Sequence, residues 1–178
     1  MRIPTATYRI QFHSEFNFNH AQEIVAYLAD LGISDLYASP IFQASKQSTH
    51  GYDVVNPTIL NSELGSYEDF DQLAAEIQKY QMGWLQDIVP NHMAYDSQNL
   101  WLMDVLENGK DSEFFDFFDI NCDRLNGETQ ERILTPLLGD FYGSCLERGD
   151  IKLDYDQNGL SDAMGRINST APRSCKAV

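Results

Sequence analysis

At 178 residues and 43% hydrophobic content, the chain is long enough to bury one real core and has the composition of a globular protein. A formal charge of -15 repels phosphate backbones and anionic bilayers, which excludes nucleic acid and membrane surfaces as partners and leaves a neutral, hydroxyl-rich ligand compatible. Three scattered cysteines, Cys122, Cys145 and Cys175, lack CxxC spacing, and there is neither a secretory h-region nor an apolar run of bilayer length. A soluble cytoplasmic protein without a disulfide framework or zinc site is expected.

Residues 5–12 place Thr7, Tyr8, Ile10 and Phe12 in near alternation, the pattern of a first strand, with His13 at its exit. Asn19 with Gln22 three residues on resembles a capping box. Ile24, Val25, Leu28 and Leu31 then repeat on one helical face, which Gly32 ends as a C′ residue would. A second strand spans residues 33–39 and stops at Pro40. Residues 41–65 read as a long loop rich in Ser, Asn, Thr and Gly, containing STHGYDVVNP; loops of that length are usually functional or disordered. Ser66, followed by Glu68 and Asp69, caps a second helix striped by Phe70, Leu73, Ile77 and Tyr80.

A third, buried strand covers residues 84–89, punctuated by Gly83 and Pro90. Inside it lies Asp87, which is costly to bury unless neighbours hydrogen-bond it, so it is expected to be paired and held in one orientation. Asn91 and His92 follow at the exit. An isolated DxxxNH is equally compatible with an ordinary turn in which Asp87 caps a neighbouring loop.

Strand, helix, strand, helix, strand with tight helix-to-strand joints predicts right-handed βαβ units and a parallel sheet. Three exits then converge: His13, the loop with His50, Tyr52 and Asp53, and the pair Asn91 and His92 all follow strand carboxyl ends, where parallel α/β folds bind ligands. After Met93 the character changes. A short helix over residues 99–107 is built on Leu100, Trp101, Val105 and Leu106 and ends at Gly109, and EFFDFFDI is too aromatic for a solvated loop and must pack on something. Short strands at 132–138 and 151–155 flank a helix at 140–148 capped by Gly149, and from Gly159 onward no period is visible. Three regions are expected: residues 1–93, a subdomain at 94–158, and a tail at 159–178.

Taken together, DIVPNHM, STHGYDVVNP and TYRIQFH resemble the alpha-amylase superfamily of glycoside hydrolases and transglycosylases, glycoside hydrolase family 13. The ordered set TYRIQFH, LYASPIF, THGYDVVNP, ELGSYEDF and LGDFYGSCLERGDIKL is similar, over residues 1–158, to its trehalose-forming glucosylmutase branch. The resemblance implies an α/β fold: a partial TIM (β/α)8 barrel, its first three βα units followed by the start of a mixed α+β insertion subdomain. It implies a (1→4)-α-D-glucan 1-α-D-glucosylmutase acting on maltooligosaccharides by intramolecular transglucosylation. Tyr52 would stack on the sugar in the reacting subsite, His92 would donate to the same sugar, and Asp87 would order the loop that places His92. Asp53 and Asn91 would support them, giving a substrate-binding set of His50, Tyr52, Asp53, Asp87, Asn91 and His92. No further cluster of oxygen ligands accompanies Asn91, so neither metal nor cofactor is expected.

Retaining glycosyl chemistry needs two carboxylates about 5 Å apart, which the family places after strands four and five. No stretch here resembles those elements, and Asp104, Glu107 and Asp119 read as solvated faces. The expectation is the amino-terminal part of a longer enzyme, inactive alone, whose unpaired sheet edges invite self-association. The alternatives are a non-catalytic α-glucan-binding or assembly module, with Tyr52 or Trp101 as a stacking face and Trp84 in the core, and a fragment of an α-amylase-type hydrolase. An unrelated α/β protein has little support, since no GxGxxG follows the first strand.

Overall fold

In the computed structural model of the protein, residues 3–120 and 139–150 are described, together with strand backbone at 132–133, 153–156, 159–162, 167–168 and 176–177. They fall into two units, Met1–Ala94 and Tyr95–Val178.

The first unit runs β1 (Thr7–Ile10), α1 (Phe18–Asp30), β2 (Asp35–Ala38), β3 (Phe42–Ala44), β4 (Val54–Leu60), α2 (Tyr67–Lys79) and β5 (Gly83–Gln86). β1, β2 and β5 form a parallel sheet in that order, with Thr7 opposite Asp35 and Asp35 opposite Gly83. Spatial order equals chain order, so the sheet winds in one direction, whereas a doubly wound sheet reverses. Strand alternation sends Ile10 and Phe12 from the β1 segment, and Leu36 and Ala38 from β2, to one face. There they meet Phe18, Ala21, Val25 and Leu28 of α1 and Leu73 and Ile77 of α2. Full burial of side chains this size contributes about 1.5–3 kcal/mol each. Trp84 belongs to this core as expected: Phe70 lies edge-on to it at 5.5 Å and to Phe18 at 5.3 Å.

The helix ends follow from local chemistry. α1 is capped by Asn17, not Asn19: its side chain accepts the N–H groups of Asn19 and His20, and His20 Nδ1 accepts the Asn17 N–H. The helix already begins at Phe18, which is completely buried, so the cap lies upstream of Asn19, and a ring nitrogen serves where Glu or Gln usually does. Leu31 is the C-cap and 58% exposed, so it is not part of the apolar stripe. Gly32, at φ +88, is the C′ residue; it donates to Ala29 O while Ile33 donates to Leu28 O, a complete Schellman closure. α2 starts on the expected Ser66, in a reciprocal box with Asp69. It ends by the same two bonds, Gln81 to Gln78 O and Met82 to Ile77 O, but with a non-glycine, Gln81, at φ +56.

Three expectations about the strands and connections of this unit change. Residues 41–65 are not an unstructured loop, because β3 and β4 pair antiparallel and a 3-10 turn covers Ser62–Leu64. Register shifts on both sides of Gln43 break the period-2 pattern that would have revealed them. The third strand ends at Gln86, so Asp87 lies just beyond it and not within it. Its N–H still donates to Ala38 O, but β2 stops there and leaves residues 88–89 no partner strand. Nor is that strand fully buried, since Leu85 faces away from the helices and is 38% exposed.

In the second unit, α3 (Leu100–Asn108) is capped by the Asn99 side chain and buries Leu102, Val105 and Leu106, while Leu100 points outward. The aromatic run packs back on α3, with Phe114 stacked on Trp101 at 5.3 Å and Phe117 at 5.0 Å from the same ring. Beyond it come β6 (Arg132–Ile133), α4 (Tyr142–Arg148) ending on left-handed Gly149, β7 (Leu153–Asp156), β8 (Gly159–Asp162), β9 (Ile167–Asn168) and β10 (Lys176–Ala177). β7, β8 and β9 form an antiparallel sheet, and β10 pairs parallel with β6. The expected patternless tail therefore contains paired strands, each of two to four residues and too short to display a period. Residues 134–138 and 151–152 of the expected strands, with Cys122 and Cys175, lie outside the described residues, whereas Cys145 is free and buried. No described helix is long and apolar enough to cross a membrane.

Candidate functional site

The sheet face turned away from the helices is polar. Arg9 and Tyr37 are direct cross-strand partners in the β1–β2 register, and Tyr37 is partnered in turn by Leu85. Two residues further along their segments, Gln11 and Asp87 project on the same side as Arg9 and Leu85. Tyr52, from the connection between β3 and β4, comes over this face. One carboxylate oxygen gathers the group: Asp87 Oδ2 accepts from the Tyr52 hydroxyl at 2.5 Å and the Tyr37 hydroxyl at 3.1 Å, with the Arg9 guanidinium at 3.4 Å. Arg9 also donates to the Tyr52 hydroxyl at 2.9 Å and to Gln11 Oε1 at 3.1 Å, and its Cζ lies 5.0 Å from the centre of the Tyr37 ring. Asp87 is thus paired and oriented, as the cost of burying a lone carboxylate requires.

The segment carrying Tyr52 is held mainly through its backbone. Gly51 adopts φ +75, and a Cβ there would lie 2.6 Å from the Pro40 carbonyl oxygen, so glycine is required twice over. Its N–H donates to Ser48 Oγ, which also bonds Asp53, and Ser45 N–H donates to Asp53 O. Gln11 Nε2 donates to His50 O at 3.0 Å, and Ala94 N–H to Val54 O at 2.8 Å. His50 Nδ1 accepts the Tyr52 N–H at 3.0 Å and lies 3.7 Å from Asp53 Oδ1.

Charge follows from these bonds. The Tyr52 phenol, first, then Tyr37 and Arg9, hold the Asp87 carboxyl below the usual carboxylate range against the opposing effect of burial. The bond to Asp87, reinforced by burial, raises the Tyr52 phenol, and Tyr52 likewise raises the Arg9 guanidinium. Asp87 is a fixed anion and Tyr52 a neutral donor. A carboxyl group serving as general acid needs the opposite shift.

Four of the six expected residues, His50, Tyr52, Asp53 and Asp87, therefore meet in one hydrogen-bonded loop and cluster. Asn91 and His92 sit exposed in the turn after β5, bonded to each other at 3.2 Å, and neither has a described hydrogen bond to the other four. His13 stays in a local turn, its backbone paired with Phe16 and its ring accepting the Glu15 N–H. Arg9, Gln11 and Tyr37 were not expected. Their signal was present, since each alternates with the buried residues Ile10, Phe12, Leu36 and Ala38 and so had to share the opposite face.

A polar cluster at the carboxyl ends of a singly wound parallel sheet lies where enzymes built on (β/α)8 barrels carry their sites. Residues 21–146 match the model of the alpha amylase catalytic domain, and the chain belongs to that family. Within it, the chain is 39% identical to a putative maltooligosyl trehalose synthase of Mycobacterium tuberculosis, over 94% of this chain and 22% of that protein. A crystal structure of maltooligosyl trehalose synthase superposes with a TM-score of 0.80 at 32% identity, covering 99% of this chain and 25% of the other. The enzyme of that name from Arthrobacter ramosus gives 0.78 at 31% identity, with 98% and 24% covered. The chain thus spans about a quarter of the length of these relatives, or slightly less.

Proposed function

We propose that this chain supplies the first three βα units of an amylase-type barrel and the opening of the subdomain that follows them. Its role is to build the glucan-binding wall of a (1→4)-α-D-glucan 1-α-D-glucosylmutase in a reducing, cytoplasmic setting. The observation that carries this is Tyr52, held by its hydroxyl on Asp87 and Arg9 at the sheet's carboxyl end; its ring would stack on the C–H side of a glucose unit. His50, Asp53, Asn91 and His92 are the further residues assigned to that wall. In this reading the bond-breaking pair is supplied by other residues: Asp87, lowered and tied to three donors, is unsuited to act as the general acid and is occupied in holding Tyr52, Tyr37 and Arg9, while Asp53 is bonded to Ser48.

Calorimetry with maltotriose tests the wall. Binding is expected for the chain itself, lost in Tyr52→Ala and kept in Trp101→Ala, because Phe114 already covers one face of Trp101. Absence of binding, or equal loss in both variants, refutes the proposal. The mutase assignment is tested by adding the remaining barrel of a relative as a second polypeptide and assaying products. Trehalose-ended oligosaccharides support it, whereas reducing-end hydrolysis alone supports an amylase-type hydrolase. Substantial turnover by the chain alone contradicts the placement of the carboxylates elsewhere.

A further inference from the structure

Arg9 stands at the middle of the cluster and has no part in the sugar-handling set. Its register opposite Tyr37 stacks the guanidinium on that ring, which restricts a long side chain to few rotamers. From this platform its nitrogens reach Asp87, Tyr52 and Gln11, and Gln11 in turn holds the His50 carbonyl. Arg9 therefore reaches the Tyr52 loop twice, directly at the ring's hydroxyl and, through Gln11, at the His50 carbonyl.

We propose that Arg9 is a positioning residue that, seated on Tyr37, fixes the aspect of the Tyr52 ring and the Asp87 carboxylate together. A ring pinned at its hydroxyl end cannot swing, so a ligand stacking on it does not have to order it. Lysine cannot replace this arrangement, because a point charge reaches one acceptor where the planar fork reaches several. Arg9 lies on the face that the helices leave uncovered, with 39% of its side chain accessible, so its removal does not open the core.

The benefit to a glucan rests on the function proposed above, so the test reads the two claims separately. In the chain carrying 13C at tyrosine ζ and aspartate γ carbons, Arg9→Met is expected to move the Asp87 titration upward and the Tyr52 titration further upward. It is also expected to loosen the Tyr52 ring on the NMR timescale and to weaken maltotriose binding up to about tenfold, the cost of ordering a ring that Arg9 no longer holds. Arg9→Lys restores the Asp87 titration but not the affinity. Tyr37→Phe keeps the platform and the affinity while raising Asp87. An unchanged Asp87 titration and ring order in Arg9→Met overturns the proposal, as does unchanged affinity with both altered. If the unaltered chain binds no maltotriose, the glucan assignment fails, and the titration and ring order alone decide the role of Arg9.

Discussion

Gly51→Ala measures how strongly the loop under Tyr52 depends on a missing side chain. At φ +75 the residue is in the left-handed region, where a Cβ costs roughly 1–2 kcal/mol. The same Cβ would lie 2.6 Å from the carbonyl oxygen of Pro40, which is backbone and has no rotamer to change. Displacing it adds about 1–3 kcal/mol, the usual cost of overpacking, for a total of about 2–5 kcal/mol. Gly32→Ala is the internal control, because at φ +88 its added Cβ meets nothing within 4 Å, and only the conformational part, about 1–2 kcal/mol, remains. Urea unfolding in a Trp101→Phe background leaves Trp84 as the sole tryptophan and hence a reporter of the first unit. The Gly51 variant should lose at least about 1 kcal/mol more than the Gly32 variant. Equal losses, or a Gly51 variant within about 0.5 kcal/mol of the parent, would refute the reasoning.

Gln81→Gly relieves the one left-handed helix terminus in the first unit that is not glycine and should stabilise it by up to about 1 kcal/mol in the same assay; a decrease contradicts the assignment of that cap. Ser66→Ala removes the side-chain bond at the start of α2 and should cost about 1 kcal/mol. It should also let the Asp69 carboxyl, held low chiefly by the Ser66 N–H and then its hydroxyl, titrate higher. Because Asp87 has a lowered folded pKa, the stability it contributes is complete above the ordinary carboxylate value of about 3.9 and drains away as pH falls through the lower folded value. Asp87→Asn should therefore flatten the acid limb of thermal stability against pH, and an unchanged limb would show that Asp87 is not the titrating group. Tyr52 has the opposite sign: its stabilisation holds below about 10 and is lost as pH rises through its raised folded value, a limb absent in Tyr52→Phe.

The parts of the first unit written in local periodicity were legible in the chain. Leu73 and Ile77 at helical spacing, Ser66 before Glu68 and Asp69, and Gly32 at a helix end each fix a conformation through neighbours a few residues away. What escaped depends on partners distant in sequence. The irregular register of β3 on β4 has no local signature, and Asp87 falls outside β5 because β2, some fifty residues earlier, stops at Ala38. For the site, Tyr52 and Asp87 stood out as motif residues, whereas Arg9 and Tyr37 became visible only when register set them side by side. The helix-capping error at Asn17 has a similar origin: a histidine nitrogen filled a place for which acidic or amide side chains are the usual sign.

The identical closures of α1 and α2 bear on how such a chain tolerates insertion. Each helix hands over to the next strand through the same two backbone bonds, so that strand leaves at a height set by the helix's last turn and not by its length. Extra residues upstream of the helix, such as the excursion between β2 and α2, are therefore absorbed before the handover and never reach the sheet. New sequence can accumulate on the side of the sheet where Tyr52 sits while the opposite rim stays unchanged.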